Sequence, residues 1–267
     1  MHYKRILTIA GSDPSGGAGI QADLKTMSAC GCYGMSAITA VVDENTVEVT
    51  GVHALPESFV QGQIRSVLND IGADAVKIGM LHSSSLICAV KEALTPYRIR
   101  DIVIDPVMVA TSGDRLLQDE AVHTLKNELL LMARVITPNL PEAETLLGNV
   151  ITPSTFVQAA KELSFNRRVS VLLKAGHLTA NILTDIFYNA ENDEVIELSV
   201  PRIDTCNTHG TGCTLSSAIA SFLAHKLPLN DAVKRAKDYI QGAITHGAFY
   251  KTGKGHGPVH HFFPFWE

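Results

Sequence analysis

The sequence contains no apolar run near the roughly 18 residues that a bilayer-spanning helix requires. Its longest stretches, such as Ala37 to Val42 and Leu129 to Met132, are far shorter. The N-terminal run MHYKRILTIAGSD breaks before a signal-peptide core can form. Blocks of like charge are missing too, and 22 Lys and Arg stand against 27 Asp and Glu, a formal charge of -5. That mild acidity speaks against nucleic acid and anionic membrane surfaces as partners, and a soluble cytoplasmic protein is expected. Five cysteines, an odd count without an export signal, argue against a disulfide framework. Cys30 and Cys32 form a C-x-C with no second pair at zinc spacing. Together with Cys88 and Cys206 they read as small buried thiols. Internal repeats, low-complexity tracts and linkers rich in Pro, Gly or Ser are likewise absent, so residues 1–267 read as a single domain.

What is present is an alternation of short β-branched runs with amphipathic stretches, the signature of an α/β chain. Strands are expected at Arg5 to Ala10, Ser36 to Val42, Ala75 to Ile78, Asp101 to Asp105, Arg134 to Ile136 and Val169 to Lys174. Several are apolar at nearly every position, as parallel strands covered on both faces are. Helices are expected at Gly17 to Ala29, Pro56 to Leu68, Ser84 to Leu94, Ala121 to Leu131, Pro141 to Leu147 and Pro153 to Leu163. Thr184 to Tyr188 and Glu194 to Val200 read as an antiparallel hairpin at a sheet edge, followed by helices Thr211 to Ala224 and Leu229 to Phe249. The expected architecture is a three-layer α/β/α sandwich around a central, mainly parallel sheet.

Ligands of such sheets bind at the carboxyl ends of the strands. Gly11-Ser12-Asp13-Pro14-Ser15-Gly16-Gly17-Ala18-Gly19 follows the first strand and lets backbone amides approach a ligand, although it also reads as a plain turn. It lacks both the Gly-Lys-Ser/Thr ending of a Walker loop and the register of a dinucleotide fingerprint. Asn207-Thr208-His209-Gly210-Thr211-Gly212-Cys213-Thr214 opens an apolar helix, where amides and helix dipole make an anion site for a transferring phosphoryl group. The same field is expected to lower the Cys213 thiol below its free value of about 8.5 and make it a base; a small buried residue is the other reading. Asp105-Pro106-Val107-Met108 and Asn139-Leu140-Pro141-Glu142 supply hard oxygens suited to Mg²⁺. Asn139 as a helix cap and Glu142 as a dipole charge remain open. Lys174-Ala175-Gly176-His177 ends a strand with a cation suited to nucleotide phosphates. Phe262, Phe263, Phe265 and Trp266 read as a docked aromatic tail, and His2, His53, His82, His123, His225 and His246 as surface or satisfied polar groups.

Taken in order with Lys77-Ile78-Gly79-Met80-Leu81 and the terminal Gly257-Pro258-Val259-His260-His261, these segments resemble the bacterial hydroxymethylpyrimidine/phosphomethylpyrimidine kinases of thiamine biosynthesis, in the ribokinase-like superfamily. The resemblance is collinear from about Ile6 to His261. It implies a ribokinase-like fold and two successive ATP-dependent phosphorylations of 4-amino-5-hydroxymethyl-2-methylpyrimidine, first to the monophosphate and then to the diphosphate. It also implies that Gly11, Asp23, Val42, Glu44 and Met80 line the pyrimidine pocket. Gly210, Thr211, Gly212 and Cys213 would form the anion hole with Cys213 as base, where many sugar-kinase relatives place Asp. Asp105, Asn139 and Glu142 would serve Mg²⁺, and Lys174, Thr208 and Lys237 the nucleotide. A homodimer is implied as well. Glu44 departs from the Gln expected there: a carboxylate only accepts hydrogen bonds, so ring or side chain would need an extra proton. The rivals are a pyridoxal or pyridoxine kinase, dual use of both alcohols, and a non-catalytic pyrimidine-sensing protein.

Overall fold

The computed structural model describes residues 2–108, 117, 119–176 and 180–266. The backbone threads β1 (Arg5–Ser12), α1 (Gly19–Ala29), β2 (Tyr33–Glu44), β3 (Val49–Ala54), α2 (Glu57–Asp70), β4 (Ala75–Ile78), α3 (Ser84–Leu94), β5 (Ile102–Ile104) and α4 (Asp119–Thr124). It continues through β6 (Val135–Ile136), α5 (Leu140–Leu147), α6 (Phe156–Glu162), β7 (Ser170–Leu173), β8 (Ile182–Asn189), β9 (Glu194–Pro201), α7 (Thr211–Ala224) and α8 (Leu229–Gly247). The strands form one sheet in the order β3-β2-β1-β4-β5-β6-β7-β8-β9. It is parallel from β2 to β7 and antiparallel at both edges.

The apolar strands are explained by burial on both faces. Leu7, Val76, Ile102, Ile136 and Val171 pack under the α2 to α6 side, while their neighbours Ile6, Ala75, Val103, Val135 and Leu172 pack under α1, α7 and α8. The α/β/α sandwich is therefore as expected, and so is the β8–β9 hairpin at one edge. Strand order reverses at β1, whose neighbours β2 and β4 lead to opposite edges, and such a reversal opens a crevice at the carboxyl ends.

Several expectations are corrected. Edge strand β3, paired antiparallel with β2, was not foreseen; its mixed exposure and Gly51 mask the period of two. The helix expected over Ala121 to Leu131 is α4 followed by a π turn at Leu125–Leu129 and a 3₁₀ turn at Leu130–Met132. The one expected from Pro153 starts as a 3₁₀ turn, because Thr152 and Thr155 exchange side-chain bonds with each other's backbone. Cys88 and Cys206 are exposed, not buried. In the aromatic tail Phe263 stacks on His246 of α8, whereas Phe265 and Trp266 are exposed. His82 keeps a buried Nδ1 without a partner, so it is not a satisfied polar group. Among the described residues no helix is long and apolar enough to cross a membrane.

Candidate active site at the carboxyl ends of the strands

A cavity of about 540 Å³ lies over the ends of β1, β4, β5, β6 and β7 and the start of α7, within the range of small-molecule sites. It gathers almost every residue that the sequence marked. Gly11, Val42, Glu44 and Met80 line one wall, and Gly210 to Cys213 the floor. Asp105, Asn139, Glu142, Lys174, Thr208 and Lys237 line the remainder. His177 lies outside the described residues.

Asp23 is the exception. It is fully buried on α1 and absent from the cavity wall. Both its oxygens lie 2.9 Å from the ammonium of Lys77, which is also fully buried. Thr8 Oγ1 donates to it at 2.6 Å and Ser217 Oγ at 2.7 Å. A carboxylate with its lone pairs so occupied supports the floor from below and does not reach a ligand. The residue at the cavity is Lys77. Burial alone would lower its ammonium, but the Asp23 charge outweighs that, Cys213 and Asp105 add to it, and the group is held above its ordinary value.

The floor is the first turn of α7. Gly210 adopts φ +75°, a conformation that glycine supplies without strain, and no side chain caps the helix. Its amide end therefore faces the cavity as an anion site. The expectation of an acidic Cys213 is overturned. Burial pushes the thiol up to about 11; Lys77 and the amide of Gly19 pull it down, while Asp23 and Asp105 raise it. Desolvation outweighs the helix dipole here, so Cys213 rests as a thiol.

Asn139 and Glu142 form a capping box at the start of α5: Glu142 N donates to Asn139 Oδ1 at 2.9 Å and Asn139 N to Glu142 Oε2 at 2.8 Å. Cap and cavity residue turn out to be the same side chains. Burial pushes the Glu142 carboxyl up to about 7, with Asp105 adding and Lys174 opposing. Asp105 accepts from Lys174 Nζ at 2.9 Å and from Thr137 Oγ1 at 2.8 Å. Two buried carboxylates facing one lysine leave negative charge to spare, which suits a further cation held by oxygen donors. Lys237 is anchored by Asp185, which also accepts from the Ala175 amide at 2.8 Å.

The glycine loop after β1 is organised by Asp13. Its carboxylate accepts from the amides of Ser15 (2.7 Å), Gly17 (3.0 Å) and Ala18 (2.7 Å) and from Ser15 Oγ (2.9 Å). His209 Nε2 lies 2.9 Å away and Glu44 Oε1 3.8 Å from the same nitrogen. Burial would raise Asp13, but the bonds from His209, Ser15 and Ala18 hold it well below the usual carboxylate range. Asp13, Glu44 and His209 stand close enough to share a metal ion. With Asp13 already serving five donors, the cluster instead reads as a hydrogen-bonded one.

Sequence reasoning missed Asp13, His209, Lys77 and Asp185 as contributors. Asp13 and His209 sat inside quoted motifs, and Lys77 was visible as the one charge in an otherwise apolar strand, Ala75–Ile78. Asp185 carried no signal.

Residues 13–260 match the family model described as phosphomethylpyrimidine kinase. The chain is 46% identical to the hydroxymethylpyrimidine/phosphomethylpyrimidine kinase of Rhizobium meliloti, over 98% of both proteins. It spans 52% of a longer bifunctional thiamine-biosynthesis relative to which it is 47% identical. The phosphomethylpyrimidine kinase structure from Clostridium difficile matches with TM-score 0.78 and 42% identity, covering 90% of this chain and 99% of that one. The ADP complex of Bacillus subtilis pyridoxal kinase matches with TM-score 0.88 and 34% identity, covering 97% and 98%. The sandwich is thus the ribokinase-like fold of these vitamin kinases, and the chain belongs to the phosphomethylpyrimidine kinase family.

Proposed function

We infer that this chain transfers the γ-phosphoryl group of ATP to 4-amino-5-hydroxymethyl-2-methylpyrimidine, and then a second one to the resulting monophosphate, in thiamine biosynthesis. The observation that carries this reading is the meeting of two walls on one floor. Gly11, Val42, Glu44 and Met80, taken as the acceptor wall, and Lys174, Thr208 and Lys237, taken as the nucleotide wall, line one cavity with Gly210, Thr211, Gly212 and Cys213, in a member of a kinase family.

Charge on the migrating phosphoryl group is spread over its oxygens in a loose transition state, so positioned amides and lysines supply most of the rate. A thiol pushed to about 11 is thiolate in roughly one molecule in 10⁴ at pH 7, which makes proton removal by Cys213 the smaller contribution. That proton matters only in the first step, where the acceptor is an alcohol. In the second the acceptor is a phosphate already ionised. Mg²⁺ belongs to the proposal: Asp105, Asn139 and Glu142 are the residues to hold it, and when bound it would neutralise phosphate charge. The proposal also takes residues 1–267 as one domain, acting as a cytoplasmic homodimer.

Mass spectrometry of products formed from ATP, Mg²⁺ and the pyrimidine alcohol tests the reading. Monophosphate followed by diphosphate is the expected result; turnover of pyridoxal without turnover of the pyrimidine would replace it with the pyridoxal kinase reading, the second reading for which the likeness to the Bacillus subtilis enzyme speaks.

A further inference from the structure

We propose that His209 is a positioning residue that locks the glycine loop of the acceptor wall to the anion hole, so that the two half-sites are assembled together. The inference rests on the kinase reading above and extends it to a residue that need not touch either substrate.

Asp13 is ionised and can only accept, so the His209 nitrogen 2.9 Å from it carries the proton and donates. The same carboxylate ties down the amides of Ser15, Gly17 and Ala18. One buried anion therefore fixes both the loop and the imidazole. From behind, the His209 amide donates to Gly257 O at 3.0 Å, and the residue bridges to Pro258, so its backbone is held by the C-terminal segment. The next residue is Gly210, which starts the anion-hole turn.

The two loops also meet at van der Waals contact. A Cβ added to Gly17 would fall onto the His209 ring, and one added to Gly210 would collide with the Gly17 carbonyl. Neither loop can shift without moving the other. Displacing the ring thus displaces the amides that hold the phosphoryl group, and misplacement of that kind, of about 1 Å, costs roughly 10²-fold in rate.

The test compares His209→Ala, His209→Gln, Gly17→Ala and the double variant Gly17→Ala/His209→Ala in both phosphorylation steps, with thermal melts alongside. The expected result is a kcat loss on the order of 10²-fold for His209→Ala, about equal in the two steps, with both KM values changed by less than about threefold. Glutamine, which keeps an N–H donor near the Nε2 position, should restore most of it. Gly17→Ala has no positive φ to strain and should lower kcat by itself, yet cost much less when the imidazole is gone, since only the Pro258 side chain, 3.2 Å from the added Cβ, then remains against it. An unchanged kcat in His209→Ala or in Gly17→Ala, or full additivity in the double variant, overturns the coupling. If His209→Ala does not fold, the loss in Gly17→Ala and its absence or presence decide alone. A wild-type protein that phosphorylates no pyrimidine would sink the kinase reading instead, a result distinct from any of these.

Discussion

Two lysine–aspartate pairs stand side by side at the ends of the central strands, and they do opposite things. Lys77 of β4 meets Asp23, and Lys174 at the end of β7 meets Asp105, both at 2.9 Å. The first pair is sealed, with neither side chain exposed, and Thr8 and Ser217 complete its hydrogen bonding. Of that pair only Lys77 reaches the cavity wall, whereas both members of the second line the cavity and the Lys174 side chain keeps 14% exposure. Equal contact distance thus says nothing about role; what separates the pairs is the number of internal partners on the carboxylate and the presence of an open side. The sealed pair is a foundation under the first turn of α7, and the open pair is part of the phosphate-binding wall.

Breaking the sealed pair has the largest expected effect. Lys77→Met leaves Asp23 as a buried charge without its counter-ion and should cost about 3 to 5 kcal/mol. Removing both charges, as in Asp23→Leu/Lys77→Met, should recover part of that loss, because the buried charges are gone while the Thr8 and Ser217 hydroxyls lose their acceptor. Urea unfolding measures both, and a single variant that loses less than about 1 kcal/mol would put water, not protein, around Lys77.

The same substitution in the open pair should act on rate more than on stability. Lys174→Met is expected to cut kcat on the order of 10²-fold, as loss of one charge-stabilising donor does. Asp105 keeps its bond from Thr137 and gains cavity water, so unfolding should change by only about 1 to 2 kcal/mol. Steady-state kinetics beside the urea curve would sharpen the contrast, and a stability loss as large as that of Lys77→Met would erase it.

This contrast also marks what was legible in the sequence. Alternating apolar runs gave the layers, and the motifs at strand ends gave Gly11, Asp105, Asn139, Glu142, Lys174 and Gly210 to Cys213, because glycine turns and strand-end charges are local features. Asp23 sits in the run that continues the glycine loop, but what it meets inside the fold depends on Lys77, 54 residues away. The acidity expected of Cys213 failed for a related reason. A helix start can be read locally, whereas the burial of the sulfur and the groups around it, Gly19 and Asp23 of α1, Lys77 of β4 and Asp105 after β5, come from distant parts of the chain. His209 was invisible as a linker for as long as its partner Asp13, 196 residues distant, was unknown.

Cys213 is coupled to both pairs: in its ionised form it would raise Lys77 and Lys174 alike. Since the thiol is pushed up to about 11, its thiolate fraction grows tenfold per pH unit between pH 7 and 9. The alcohol step should therefore accelerate across that range, whereas the phosphate step, whose acceptor has its second pKa near 6, should level off. Cys213→Ala should flatten the first profile and slow the alcohol step at least roughly tenfold more than the phosphate step. Equal slopes in the two steps would remove the thiol from proton transfer. The finest effect concerns Asp23, whose negative charge raises the thiol from beneath. Asp23→Asn deletes that charge and, for as long as the buried Lys77 keeps its proton without its counter-ion, the alcohol profile should move to lower pH by less than about one unit. A shift to higher pH would mean that Lys77 had lost its proton or left its place, and that the sealed pair holds the cation under Cys213 and does not merely fill the space below it.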